Sequence, residues 1–261
     1  MATAPSTHQP PAWRMPAALV GLSLCALVAA AVMLPCPDPK THGMRLALCL
    51  LAVEAVAIAV TVPLLAARAA DRSWARRLVA LLVPVLGTGL AAFIVIVAAT
   101  RGAVSPLALA LAQLFLLGFA FLLSAVVSLV AACGARPATA QFAATFLALA
   151  MLGSVFFANA LVEAAEGESA KMSVIHAVLW TNPWLIVGGS ILEADPLRSE
   201  NLYSWSVIIY YGFRYPASAL GGPAARAAFA TLVYGIAGLL LEALAWLALR
   251  IRRSRTADSA P

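Results

Sequence analysis

HAVLWTNPWLIVGGSIL, residues 176–192, is apolar enough to pass for part of a membrane span, yet Asn182 and Pro183 interrupt it near its middle and Gly188 and Gly189 follow. One unbroken helix here would carry the chain across a bilayer. Two short helices meeting at Asn182-Pro183 would let the chain enter and return. The side on which the C-terminus lies depends on which of these holds. Proline has no N–H to donate and disfavours helix in the residue before it, so the sequence predicts a break. Non-helical backbone at membrane depth is tolerated where protein or a water-filled cavity covers it. Asn182 and Pro183 are therefore read as the hinge of a re-entrant pair over 172–192.

The surrounding chain is that of a membrane protein. Of 261 residues, 63% are hydrophobic and 11% charged, with a mean hydropathy of +0.95. A soluble domain has about 45–50% apolar and about 25% charged residues. Six runs reach the roughly 20 apolar residues that a helix needs to cross the hydrocarbon core: 17–34, 46–67, 78–100, 107–133, 142–162 and 227–249. Their length and their lack of period-two alternation rule out barrel strands. The fold class is all-α, one polytopic transmembrane domain over 17–250. A Pro-rich N-terminus, 1–16, is read as disordered, and a basic tail follows at 251–261. Connections are short as far as residue 162; then 163–226 separates the fifth span from the sixth. That segment includes the hinge and an aromatic stretch with Tyr203, Trp205, Tyr210, Tyr211, Phe213 and Tyr215, residue types that settle at a membrane–water interface. It reads as an outer lid.

Net charge is +6, but the basic residues flank the apolar runs rather than gathering on one face, which argues for topology and against nucleic acid. With the N-terminus inside, the inner side receives Arg14, Arg68, Arg72, Arg76, Arg77, Arg136, Arg250, Arg252, Arg253 and Arg255. The short outer loops receive only Lys40, Arg45 and Arg101. Both termini are then cytoplasmic and 163–226 extracytoplasmic. A seventh full span at 172–192 would put the basic end of the chain on the wrong face.

No enzyme signature is present. The spans hold no His and no Asp, and their two acids, Glu54 and Glu242, belong to different spans. His8, His42 and His176 lie far apart, and the four cysteines show no CxxC spacing, so neither a metal site nor a cofactor is expected. Nothing resembles a phosphate-binding loop, and ATP hydrolysis would have to come from a partner.

An ionisable group inside a span is costly and raises the question of function. Glu54 either lines a polar cavity or pairs across helices, or it is only a carboxyl kept neutral by burial. Gln113 is a second candidate pathway residue, although Gln113, Ser124 and Ser128 are residue types that more often join helices than bind substrate. Glu242 is expected to pair with Arg250 or Arg252, or to reach the headgroups. The inner connection 68–77 carries Arg68, Arg72, Arg76 and Arg77 with Trp74 as an aromatic anchor, the type of residue that dominates interface energies.

Six helices with both ends inside, a long outer segment before the sixth and a basic end after it resemble the ABC-2 type permeases, the membrane subunits of ATP-binding-cassette exporters. The nearest local match is VSPLALALAQLFLLGFAFLLSAVVSLVAACGARPATAQFAATFLALAMLG, 104–153, which is similar to the family's fourth and fifth helices. LWTNPW, 179–184, and DPLRSENLYSWSVIIYYGFRYP, 195–216, are similar to its outer loops. The resemblance implies a dimer of permease subunits, identical or not, and a separate ATPase docked on the inner connection Arg68, Arg72, Trp74, Arg76 and Arg77, all in a bacterial cytoplasmic (inner) membrane. The chain departs from the family in two places. PSTHQPPAWRMP, 5–16, is too rich in Pro for the amphipathic helix that usually precedes the first span, and ARAADRSWARR, 67–77, is short for a coupling helix. A relative that keeps the fold as an anchor or assembly subunit without transporting is the alternative.

Overall fold

The computed structural model describes residues 39–69, 74–100, 102, 104–192 and 223–258, and every regular element among them is an α-helix. We number them α1 (Pro39–Arg68), α2 (Trp74–Thr100), α3 (Pro106–Ala132), α4 (Pro137–Ala164), α5 (Glu168–Thr181), α6 (Pro183–Leu192) and α7 (Pro223–Asp258). Five contain stretches long and apolar enough to cross a membrane: Leu46–Arg68, Leu81–Ala98, Pro106–Ala132, Pro137–Phe157 and Ala225–Arg252. The expected first span, 17–34, and the aromatic stretch of the expected lid lie outside the described residues.

The helices begin earlier than hydropathy places them, because α1, α3, α4, α6 and α7 each open on proline. At the first helical position proline's missing N–H has no partner to lose and its fixed φ is already helical. In α3 the cap is completed by Ser105, whose side chain accepts from the N–H of Ala108. Two further expectations change. The inner connection 68–77 shrinks to 69–73, since Trp74, Arg76 and Arg77 belong to α2, and the basic tail is no separate segment, since α7 continues to Asp258.

Short connections make α1 to α4 an antiparallel series. Between α3 and α4 the turn is set by Gly134 at φ +93°. There the N–H of Ala135 reaches Val130 O at 3.3 Å and that of Gly134 reaches Ala131 O at 2.9 Å, the double closure that requires a left-handed residue after a helix. The largest interface joins α3 to α7. Its partners rise in step along both helices, with Gly118 against Thr231, Phe121 against Gly238 and Ser128 bonded to Glu242. The two helices are therefore parallel. Because α4 returns the chain from the end of α3, α4 ends and α7 begins on the same face of the bundle.

Of the five helices of spanning length, α3 is the most enclosed and α7 the least. Phe115, Leu116, Phe119 and Leu123 of α3 are fully buried against α1, α6 and α7. Outward, Val79, Val83, Leu86, Leu90 and Ile94 of α2 and Leu232, Ile236, Leu239 and Leu240 of α7 are exposed. Such broad apolar surfaces are rare on soluble monomers and suit a lipid environment.

Close approach of α3 and α7 depends on glycine. A Cβ at Gly238 would fall 2.6 Å from the Phe121 ring, whereas one at Gly235 would meet nothing within 4 Å. Gly238→Ala should lower stability by about 1–3 kcal/mol through overpacking and Gly235→Ala should not, as read from thermal unfolding in detergent.

Candidate functional site

Breaking a helix inside an apolar bundle strips N–H and C=O groups of partners with no water to replace them. α5 and α6 meet at such a break, with their axes bent by 81° across Asn182. Helical bonding runs as far as Asn182, whose N–H reaches Val178 O at 2.9 Å. Pro183 then has no N–H to give to Leu179 O. The next two N–H groups, of Trp184 and Leu185, are taken by the Asn182 side-chain oxygen at 2.9 and 3.2 Å. Asn182 thus caps α6 while ending α5, its own backbone extended at φ −84°, ψ 112°. Its side-chain N–H groups go to Leu152 O at 2.9 Å and Ser154 Oγ at 3.1 Å. A buried side chain with 0% exposure thereby uses two donors and two acceptor bonds, the full capacity of an amide.

The same interception frees carbonyls in the last turn of α5. One of them, Thr181 O, accepts from the Tyr234 hydroxyl of α7 at 2.8 Å. Tyr234 is held by edge-on contacts with Phe115 at 5.0 Å and Phe119 at 6.2 Å. It lies eleven residues past Pro223, about 16 Å along the helix, and Leu152 and Ser154 sit midway along α4. The hinge is therefore level with the middle of α4 and well inside the spanning-length stretch of α7.

From there α6 does not cover an outer surface. It is packed against α1, α3 and α7, with Leu185, Ile186, Val187, Gly188, Gly189 and Ile191 buried. Of the expected lid, α6 is thus a wedge, because it is apolar on all sides and finds its partners inside the bundle, whereas α5 buries only Ile175, Val178 and Leu179.

Glu54 and Gln113, on separate helices and 59 positions apart, are brought together: Gln113 Nε2 donates to Glu54 Oε2 at 2.8 Å. Glu54 is 2% exposed. Gly89 of α2 backs the pair, for a Cβ there would stand 2.6 Å from Gln113 Oε1 and 3.4 Å from Glu54 Oε1. One level further along the bundle, Ser128 donates to Glu242 Oε1 at 2.7 Å. Glu242 thus has a partner on α3 that the spacing to Arg250 and Arg252 did not reveal, while Arg250 lies 5.3 Å from the Trp246 ring centroid.

The residues expected to meet an ATPase lie around the connection of α1 to α2. Arg68 ends α1, Arg72 is outside the described residues, and Trp74, Arg76 and Arg77 occupy the first turn of α2. Sequence reasoning missed Leu152, Ser154 and Tyr234. A tyrosine amid an apolar span is the signal, since its hydroxyl must find an acceptor there. Among the described residues no group of three or more His, Cys, Asp or Glu could hold a metal ion. Cys133 is exposed at the turn between α3 and α4.

No family model, curated protein or solved structure matches the chain.

The hinge network is open to direct test. Tyr234→Phe keeps the ring contacts and removes one hydrogen bond, costing about 0.5–1 kcal/mol. Asn182→Leu strands two backbone N–H groups and a carbonyl and should cost about 3 kcal/mol. Denaturation midpoints in detergent decide, and an Asn182→Leu protein as stable as the parent would show that the break does not depend on this side chain.

Proposed function

We propose that this chain is the permease subunit of an ATP-binding-cassette transporter of the ABC-2 type, an exporter in a bacterial cytoplasmic membrane. Two such subunits, identical or not, form the path and a separate ATPase powers it. The observation that carries this reading is the order of elements at the C-terminal end. A spanning helix, α4, is followed by two short helices broken at Asn182-Pro183, and then by a last spanning helix that begins on the face where α4 ended. That order is what the resemblance implies between the fifth and sixth spans. It fits a re-entrant pair with no net crossing.

Charge supports the orientation. Arg68 at the end of α1, Arg136 before α4, and Arg250 and Arg252 near the end of α7 share one face; Gly134 of the α3–α4 turn is within 3.4 Å of an Arg252 nitrogen when given a Cβ. Glu163, Glu166 and Glu168 lie at the opposite face, between α4 and α5. Basic residues favour the cytoplasmic side, where anionic headgroups also attract them. In this reading Glu54 and Gln113 line the path only when α1 and α3 part, since they are enclosed where α1, α2 and α3 meet.

One observation favours a second reading, a non-transporting anchor or assembly subunit. Only residues 69–73 connect α1 to α2, which leaves little room for a separate coupling helix. Docking would then rest on the start of α2 itself, where Trp74, Arg76 and Arg77 lie.

Two measurements test these readings. In a background with the native cysteines replaced, Glu166→Cys should react with an impermeant maleimide on intact cells and Ser259→Cys only after permeabilisation. Labelling of Ser259→Cys in intact cells would place the C-terminus outside. Trp74→Ala should release a copurifying ATPase, at a cost of about 2 kcal/mol or more as for an interface hot spot, with insertion unchanged. The absence of any ATPase from preparations of the parent protein would leave the anchor reading in its place.

A further inference from the structure

The Glu54–Gln113 pair has one edge closed and one edge open. On the closed edge the Gln113 amide donates to Glu54 Oε2 at 2.8 Å. On the open edge stand Glu54 Oε1 and Gln113 Oε1, two oxygens that only accept while the carboxyl is ionised. Both lie toward Gly89 of α2, at 3.4 and 2.6 Å from where a Cβ would be, so α2 brings no side-chain donor to them. The neighbouring Thr88 directs its hydroxyl to Pro84 O at 2.9 Å. Glu54 Oε1 is buried and has no hydrogen-bond partner. A buried acceptor left unpaired, and still more a buried charge, is the costly arrangement.

One proton removes the mismatch. A carboxylic acid and a primary amide meeting edge to edge can exchange two hydrogen bonds, one in each direction. We infer that Glu54 is a proton-binding site, with the proton on Oε1 donated to Gln113 Oε1 while Gln113 Nε2 donates to Glu54 Oε2. The reaction is uptake of one proton from water by a carboxylate; no other bond changes. The loaded pair is neutral and closed, and it joins α1 to α3. Loss of the proton leaves a charge whose free oxygen faces another acceptor, which favours separation of the two helices. The helices packed on α1 add little competing charge near the pair. Lys40, His42, Arg45, Cys49 and Arg68 are the other titratable or charged groups of α1 itself, Arg76 and Arg77 those of the first turn of α2 and Glu163 that of the last turn of α4; α3 and α6 contain no charged residue.

The test is infrared spectroscopy on the full chain in vesicles of phosphatidylcholine and phosphatidylglycerol at pH 7. A carbonyl stretching band of a protonated carboxylic acid should be present, should shift in D2O, and should be lost in Glu54→Gln but kept in Glu242→Gln. Glutamine can make both bonds of the proposed pair, so Glu54→Gln should melt within about 2 °C of the parent. Glu54→Ala should melt clearly lower. Absence of an acid band that depends on Glu54 would overturn the inference. A Glu54→Gln protein that melts as low as Glu54→Ala would overturn it as well, because it would show that the negative charge is what the site holds.

Discussion

Backbone amides cannot be left bare in an apolar interior, and the break at Asn182 is where this chain meets that constraint most severely. Proline removes one donor, the asparagine side chain intercepts two more, and a tyrosine from another helix takes up a carbonyl set free. Each substitute lowers the cost of the bend, since an unsatisfied polar group is costly in hydrocarbon. The 81° turn then sends α6 between α1, α3 and α7 instead of onward along the line of α5. Much of the core consequently rests on a few polar contacts, with Ile186, Val187 and Ile191 joining the cluster that Leu46 and Leu50 of α1 and Phe115 and Phe119 of α3 begin.

α3 is the element against which the others are arranged. Small residues let its neighbours come near: Gly118 faces Thr231, Gly238 receives the Phe121 ring, and Gly89 leaves space for Gln113. Where lipid competes equally for apolar surface, such fits and a few polar bonds replace the hydrophobic drive of soluble cores. The Glu54–Gln113 and Ser128–Glu242 pairs tie α3 to α1 on one side and to α7 on the other. In both, a glutamate meets an uncharged partner.

Helix number, helix type and the position of the break were legible in the described part of the sequence, because long apolar runs and Asn182-Pro183 are local signals. The helix starts were less so. A hydropathy window sees where a run becomes apolar, not that Pro39, Pro137 or Pro223 already fixes the backbone several residues earlier. Glu54 and Gln113 stood out singly as polar residues in apolar runs, but their meeting is a tertiary fact, as is the bond between Ser128 and Glu242. The depth and course of α6 were likewise hidden, since an apolar decapeptide reads the same whether it rests on a surface or enters a core. Tyr234 carries a local signal, a hydroxyl in need of an acceptor inside an apolar run, but that the acceptor is Thr181 O is again a tertiary fact.

The bond from Tyr234 to Thr181 also imposes an order in time. The two residues are 53 apart, so when a ribosome has just released α5 and α6 the hydroxyl that completes their junction is still unmade. Membrane helices insert first and assemble afterwards, and at that earlier stage the junction has Asn182 and α4 but nothing for Thr181 O from the last helix. α6, with almost no surface that is not buried in the finished bundle, has its final position only once α7 is in the bilayer beside α3. The segment synthesised before the last helix is thus among the final parts to be settled, and a chain cut short ahead of residue 234 would carry a bend that it cannot close.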